Sequence, residues 1–139
     1  MHILDRAAAK AAKALLLLSA SALFFACGSA QKIGGALDRE RLADGVYSAS
    51  YGKWPNIARV RVRIAAGRIE DVKVKGAFAS WIGYRANSVI PARIVEKQST
   101  DVDALSGATN SSHVIMNAVQ RAVEKSYKKA GAAGNTKAE

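Results

Sequence analysis

Residues 57–75 read IARVRVRIAAGRIEDVKVK. Val60, Val62 and Ile64 alternate with Arg59, Arg61 and Arg63, the two-residue period of a strand with one buried and one solvated face. Ala66-Gly67-Arg68 supplies a turn, with a glycine available for positive φ. Residues 69–75 return as a second strand, Val72 and Val74 inward and Lys73 and Lys75 outward. The stretch is therefore a β-hairpin with one apolar and one basic face, and solvation suffices to explain the basic face. Upstream, residues 45–52 (GVYSASYG) open with β-formers and predict a further strand.

Downstream the period changes. Residues 84–98 (YRANSVIPARIVEKQ) place Val89, Ile90, Ile94 and Val95 at helical spacing, with Pro91 at a first turn or a kink. From Ser111 to about Lys128, the residues Val114, Ile115, Ala118, Val119, Ala122, Val123 and Tyr127 form one broad apolar stripe. Asn110, Ser111 or Ser112 suit its start, and Lys125, Lys128 and Lys129 its C-terminal end. Strands followed by helices without strict alternation predict an α+β fold: a small twisted antiparallel sheet packed by helices on one face.

A chain of 139 residues with a formal charge of +10, one cysteine and two histidines has room for one domain and excludes an internal disulfide framework or a Cys/His zinc cluster. Residues 1–13 carry Arg6, Lys10 and Lys13, and residues 14–26 are uncharged and end at Cys27. That run is too short to span a membrane and has the form of a secretory signal. Phe24-Phe25-Ala26-Cys27 resembles a relaxed bacterial lipobox, so the expectation is a signal peptide over 1–26 and lipidation at Cys27. Ordinary signal-peptidase cleavage is the simpler rival. Removing three basic residues and Asp5 leaves a mature charge of +8. Export and the lack of basic blocks interleaved with aromatics argue against nucleic acid. A solvated basic surface, an anionic lipid surface or an acidic redox partner remain open.

Residues 27–43 read as a tether, which if flexible spans roughly 20–25 Å. The folded unit is then 44–129, and residues 130–139 (AGAAGNTKAE) form a disordered tail with little to bury.

Between the two helical patterns lies DVDALSGATNSS, residues 101–112. Gly107 and Ala108 leave the backbone open to close approach, and Thr109 falls at the start of the second helix. The unsatisfied N–H groups and dipole there favour a phosphate-like anion. The simpler reading is an ordinary capping loop, in which Thr109 or Ser111 bonds a backbone N–H.

Asp103-x-x-Ser106-Gly107-Ala108-Thr109, with Ser112 after it, resembles the flavinylation signature of the FMN-binding domain family. That domain also occurs in the peripheral flavin subunits of sodium-translocating quinone reductases and related electron-transport complexes. Asp44-Gly45-Val46-Tyr47, the hairpin with Gly67, the Ile94–Ser99 approach and Ala118-Val119 extend the resemblance over nearly the whole folded part. Ser111 stands where the family usually has Thr, which keeps the hydroxyl. Gly76–Trp81 replaces an acidic or histidine-containing stretch often seen after the third strand.

The resemblance implies one FMN per chain, attached through a phosphodiester to Thr109. Ser106, Gly107, Ala108, Asn110, Ser111 and Ser112 would lie around it, and Asp103 would be the handle for a separate Mg-dependent flavin transferase using FAD. It implies an electron carrier and not an enzyme, with no catalytic residue or metal site of its own. Such a carrier would be a membrane-anchored lipoprotein on the periplasmic or cell-surface side, between a membrane redox donor and an acceptor. A reversible FMN-binding module and a structural lipoprotein are the rivals. Trp81, Tyr84, Tyr51 and Trp54 are candidates to face the flavin ring, though core or surface packing is the better explanation of each. Met116 reads as core filler and His113 as a first-turn surface residue.

Overall fold

The computed structural model describes residues 30–135. The leader, Cys27 and residues 136–139 lie outside the described residues. Three strands, β1 (Gly45–Lys53), β2 (Asn56–Ala65) and β3 (Arg68–Phe78), form an antiparallel sheet in the order β1-β2-β3. The central strand follows the sequence alternation: Ala58, Val60, Val62 and Ile64 are buried while Arg59, Arg61 and Arg63 are exposed. Val62 pairs with Tyr47 on one side and Val72 on the other, which sets one inner row of the core.

On β3 the register slips twice, opposite Arg59/Val60 and Arg63/Ile64. The first β3 residue pair explains the use of this. Ile69 and Val72 are three apart, an odd spacing that would point them to opposite faces, yet both are buried because one extra residue, Glu70, is accommodated between them. The β2–β3 turn puts Ala66 at φ 50° and Gly67 at φ 67°, the positive pair that a two-residue hairpin requires.

After β3 the chain makes a single helical turn, α1 (Trp81–Tyr84), started by Ser80, whose Oγ accepts from Gly83 N at 3.2 Å. Helix α2 (Ala86–Lys97) follows, with Pro91 buried six residues in rather than at its first turn. Gln98 ends it at φ 50°. Its side chain then acts as a short piece of strand: Oε1 accepts from Ile69 N at 2.9 Å and Nε2 donates to Ile69 O at 2.8 Å. Both helices beyond this turn, α2 and α3 (Thr109–Asn135), pack on the same face of the sheet. The fold is α+β, as the pattern predicts.

Two expectations are corrected. Residues 30–43 do not hang free as a tether. They form a strap along α3: Ala30 N donates to Asn110 Oδ1 at 2.8 Å, Ile33 N to Asn117 Oδ1 at 2.9 Å and Asp38 N to Tyr127 Oη at 2.9 Å. Gly35 and Thr100 bond each other, and a turn at Arg39–Arg41 leads back to β1. The physical cause is Asn117, fully buried on α3, which also donates from Nδ2 to Gln31 O at 2.6 Å. The strap explains why all six residues from Val114 to Val119 are buried. A sheet alone covers one stripe of a helix, so a second surface must cover the rest. At the other end, α3 continues to Asn135, into the stretch expected to be a disordered tail. Residues 131–133 are exposed there, and the helix propensity of alanine favours the extension.

Candidate functional site

The loop from Ser99 to Ala108 is held at both ends. Thr100 and Val102 are buried, and Leu105 N donates to Ser112 Oγ at 3.1 Å. Ala108 N donates to Leu105 O, and Ser112 bonds Ala108 O through both its N–H and its Oγ. Gly107 takes φ 77°, a conformation costly for side-chain residues. These bonds thrust Ser106, Gly107 and Thr109 outward while burying Ala108.

Thr109 is thus exposed at the first position of a 27-residue helix. Its hydroxyl has no hydrogen-bond partner among the described residues, and neither do the N–H groups of Thr109, Asn110 and Ser111. The preceding residue is Ala108, which has no side-chain acceptor. The capping-loop reading fails on this geometry. Ser111 Oγ donates to Asn56 Oδ1 at 3.1 Å, and Ser112 Oγ serves the loop rather than the helix start. What remains is three convergent donors, the positive end of a long helix and one free hydroxyl, an arrangement suited to an anionic ester.

The other candidate residues divide. Asn110 and Ser112 turn their side chains into the protein, so they hold the site rather than face a ligand. His113 Nδ1 lies 2.7 Å from Ala30 O. A carbonyl only accepts, so Nδ1 carries the proton, and His113 fastens the strap instead of standing as a plain surface residue. Met116 is core, as expected. Asp103 is exposed. A hydrogen bond from Lys97 Nζ at 3.1 Å, and then the Lys97 charge, hold its carboxyl below the usual carboxylate range. Its folded pKa is depressed, so the pair is intact above the unfolded carboxylate range and is lost as pH falls through the folded value. Asp103 therefore presents an ionised carboxylate six residues before Thr109 at neutral pH.

Ser111 is where three elements meet. It bonds Asn56 at the start of β2, next to the β1–β2 turn, and α1 lies against it, because a Cβ on Gly83 would come within 2.5 Å of Ser111 Oγ. Ile82 lies over Gly107. The α3 start is therefore flanked by two exposed apolar segments. Trp81 is 80% exposed and Tyr84 55% on α1, and Trp54 is 79% exposed in the β1–β2 turn. Tyr51 is different: the Arg121 guanidinium covers its ring at 4.7 Å, so it belongs to packing. Ile57 and Ile82, both partly exposed here, were not singled out from sequence, since a lone isoleucine beside a turn carries no distinguishing signal.

Between Ile57, Ala79, Asn87 and Ser111 lies a notch of about 10 Å³. It is too small to engulf a drug-sized ligand, for which sites run about 300–1,000 Å³. Asn87 Oδ1 is buried there without a hydrogen-bond partner among the described residues, an acceptor that a polar ligand atom or a water would satisfy. The site can hold an anion at the helix start and lay a flat apolar group across its exposed flanks. Among the described residues no cluster of three or more His, Cys, Asp or Glu could hold a metal.

Gly83 gives a direct test of this junction. Gly83→Ala places a methyl 2.5 Å from Ser111 Oγ and 2.9 Å from Ala79 Cβ, and is expected to cost about 1–3 kcal/mol in urea unfolding. Gly76→Ala, with nothing within 4 Å of the new methyl, should change stability by less than about 0.5 kcal/mol.

A family model described as the FMN-binding domain matches residues 52–124, from the end of β1 through most of α3. An uncharacterized protein of Treponema pallidum (strain Nichols) is 41% identical over 88 residues, which cover 60% of this chain and 23% of that protein. The chain thus spans about a quarter of that relative's length. A crystal structure of a protein from Clostridium perfringens superposes with a TM-score of 0.53 at 19% identity, covering 63% of this chain and 91% of that one. At that identity the likeness speaks to the fold.

Proposed function

The chain belongs to the FMN-binding domain family, and from that premise we propose that it is an extracytoplasmic electron carrier holding FMN covalently on Thr109. It is a flavin-binding protein with FMN as cofactor; the attachment, the location and the electron-transfer role are our reading. The observation that carries it is the exposed Thr109 hydroxyl, which among the described residues is unbonded and stands beside three N–H groups without an acceptor.

A threonine hydroxyl is a poor nucleophile without a base and an activating metal, and among the described residues no cluster of three or more His, Cys, Asp or Glu could hold such a metal. Thr109 therefore acts as a substrate for a flavin transferase. In that enzyme's cleft Thr109 Oγ forms a bond to the FMN phosphorus of FAD, the pyrophosphate bond breaks, AMP leaves and the hydroxyl proton passes to the transferase. The projecting Ser106–Gly107 turn lets the loop enter a foreign cleft, and the Asp103 carboxylate is available as its handle. The N–H groups of Thr109–Ser111 at the α3 N-terminus would hold the remaining negative charge of the diester. Bound FMN supplies one- and two-electron redox chemistry. The chain's own part is to fix the phosphate end and to offer Trp81, Ile82 and Trp54 as apolar flanks. The notch is too shallow to bury a ring, which suits exchange with partners at the surface.

The strap supports a place for this carrier. Ala30 is pinned to Asn110 and His113, beside Thr109. Cys27 lies three residues upstream, at most about 11 Å of extended chain. A lipid anchor on Cys27 would hold the flavin end of the domain at the bilayer surface, facing a membrane-embedded donor or acceptor.

The test is intact mass and a denaturing visible spectrum of the full chain, made with and without an active flavin transferase. We expect a mass gain of FMN less water, and yellow colour that survives denaturation, only with the transferase. Colour that is lost on denaturation would leave a reversible binding module, and a colourless chain a structural protein. Either outcome would overturn the covalent reading.

A further inference from the structure

We infer that the open face of the sheet is a docking surface for an acidic protein. The helices cover one face of the sheet; on the other, Ser48 and Ser50 of β1, Arg59, Arg61 and Arg63 of β2, and Lys73 and Lys75 of β3 are all exposed. The lower part of this face is charge-balanced, since Arg63 pairs with Glu70 at 2.8 Å and Lys73 with Asp71 at 3.5 Å. The upper part is not. The side chains of Arg59, Arg61 and Lys75 make no ion pair or hydrogen bond among the described residues. Lys125 reaches the same hollow from α3.

Folding alone does not call for this arrangement. Arg61 stands directly opposite Lys73 across the β2–β3 pair, and like charges so placed are destabilising. A solvated face would be served as well by mixed charges, as the Glu70/Asp71 end shows. The mode of docking is also constrained. At the β1 edge, Arg121, Lys125 and Lys129, each four residues apart on α3, donate to the carbonyls of Ser50, Ser48 and Asp44. Those carbonyls are no longer open to an added strand. A partner must therefore meet the face through side chains, and a flat array of guanidinium and ammonium groups matches a surface of carboxylates.

The strap decides for a protein over a bilayer, and here the inference rests on the carrier reading. The chain upstream of Ala30 leaves from the helix layer, on the opposite side of the sheet from Arg59 and Arg61. An anchored domain would keep the basic face turned toward a second, acidic redox partner. Among the described residues, Val46 and Ile57 are the large exposed apolar side chains of this face, and they stand at opposite ends of it, so the basic centre between them offers no apolar patch for insertion into lipid.

The test compares Arg59→Glu/Arg61→Glu with Arg39→Glu/Lys128→Glu, two full-length variants of equal net charge. Binding to poly-L-glutamate and to phosphatidylcholine vesicles with and without phosphatidylglycerol is measured at about 10 mM salt, where the Debye length is about 30 Å. We expect the first pair to weaken polyglutamate binding roughly tenfold, and the second pair only two- to threefold at about the same salt. Arg59→Gln/Arg61→Gln, which introduces no new carboxylates, should fall between. Equal losses for the two reversed pairs would overturn the proposal. So would vesicle binding that needs phosphatidylglycerol and is lost in Arg59→Glu/Arg61→Glu, because it would assign the face to a bilayer. None of these readouts needs the flavin, so failure here leaves the Thr109 reading to its own test.

Discussion

Thr109→Val, co-expressed with an active flavin transferase, is expected to emerge folded, colourless and at its unmodified mass. Valine keeps the shape and β-branching of threonine and removes only the hydroxyl. Thr109 is exposed and its hydroxyl bonds nothing among the described residues, so unfolding free energy should move by less than about 0.5 kcal/mol. Covalent flavin, by contrast, should be lost entirely, since no Oγ remains to form the phosphodiester. Thr109→Ser keeps the nucleophile and should be flavinylated. Neighbouring hydroxyls are poor substitutes: Ser111 Oγ is engaged with Asn56 and Ser112 Oγ with Leu105 and Ala108. Full flavin retention in the valine variant would move the attachment elsewhere. The measurements are intact mass, the denatured spectrum and a urea titration on the same preparations.

The second large effect is expected at Asn117, far from any ligand. Asn117→Leu preserves volume but leaves Ile33 N and Gln31 O without their partners. Ile33 and Gln31 are exposed residues, so water can partly replace the lost partners and each bond is worth about 0.5–1.5 kcal/mol; the strap either stays at a loss of about 1–3 kcal/mol or detaches for a similar cost. Hydrogen exchange separates these: rapid exchange at Ile33 with unchanged protection in β2 marks detachment. Flavinylation of Thr109 should persist in either case, because the loop's own bonds, Leu105 N to Ser112 Oγ and Ala108 N to Leu105 O, do not involve the strap. Stability and Ile33 protection equal to those of the wild type would show that the strap is not held by Asn117.

The hairpin was legible because strand alternation is a local rule. Each arginine of β2 declares a solvated side and each valine a buried one. The α3 stripe was legible for the same reason at a different period. The strap was not. AQKIGGALDRERLA has no periodicity, and its structure comes from Asn110, His113, Asn117 and Tyr127, eighty or more residues away. One trace of it was present in the sequence: Asn117 interrupts an apolar run, and a buried asparagine needs partners. The loop at 101–112 was legible through resemblance and through its small residues. That Thr109 is exposed while Ala108 is buried depends on Gly107 at φ 77° and on Ser112 bonding back to the loop.

The sequence by itself determined the fold class, the basic and apolar faces of the sheet, and the threonine at the start of the last helix. These follow from spacing along the chain, which any unfolded copy already carries. Tertiary structure alone decided that α1 and the β1–β2 turn flank that threonine, that Tyr51 is closed off by Arg121, and that the chain's upstream end leaves beside Thr109. Those facts depend on pairs such as Ser111 with Asn56 and Ala30 with Asn110. Such bonds join residues distant in sequence, and they form only when burial in the common core has brought their segments together.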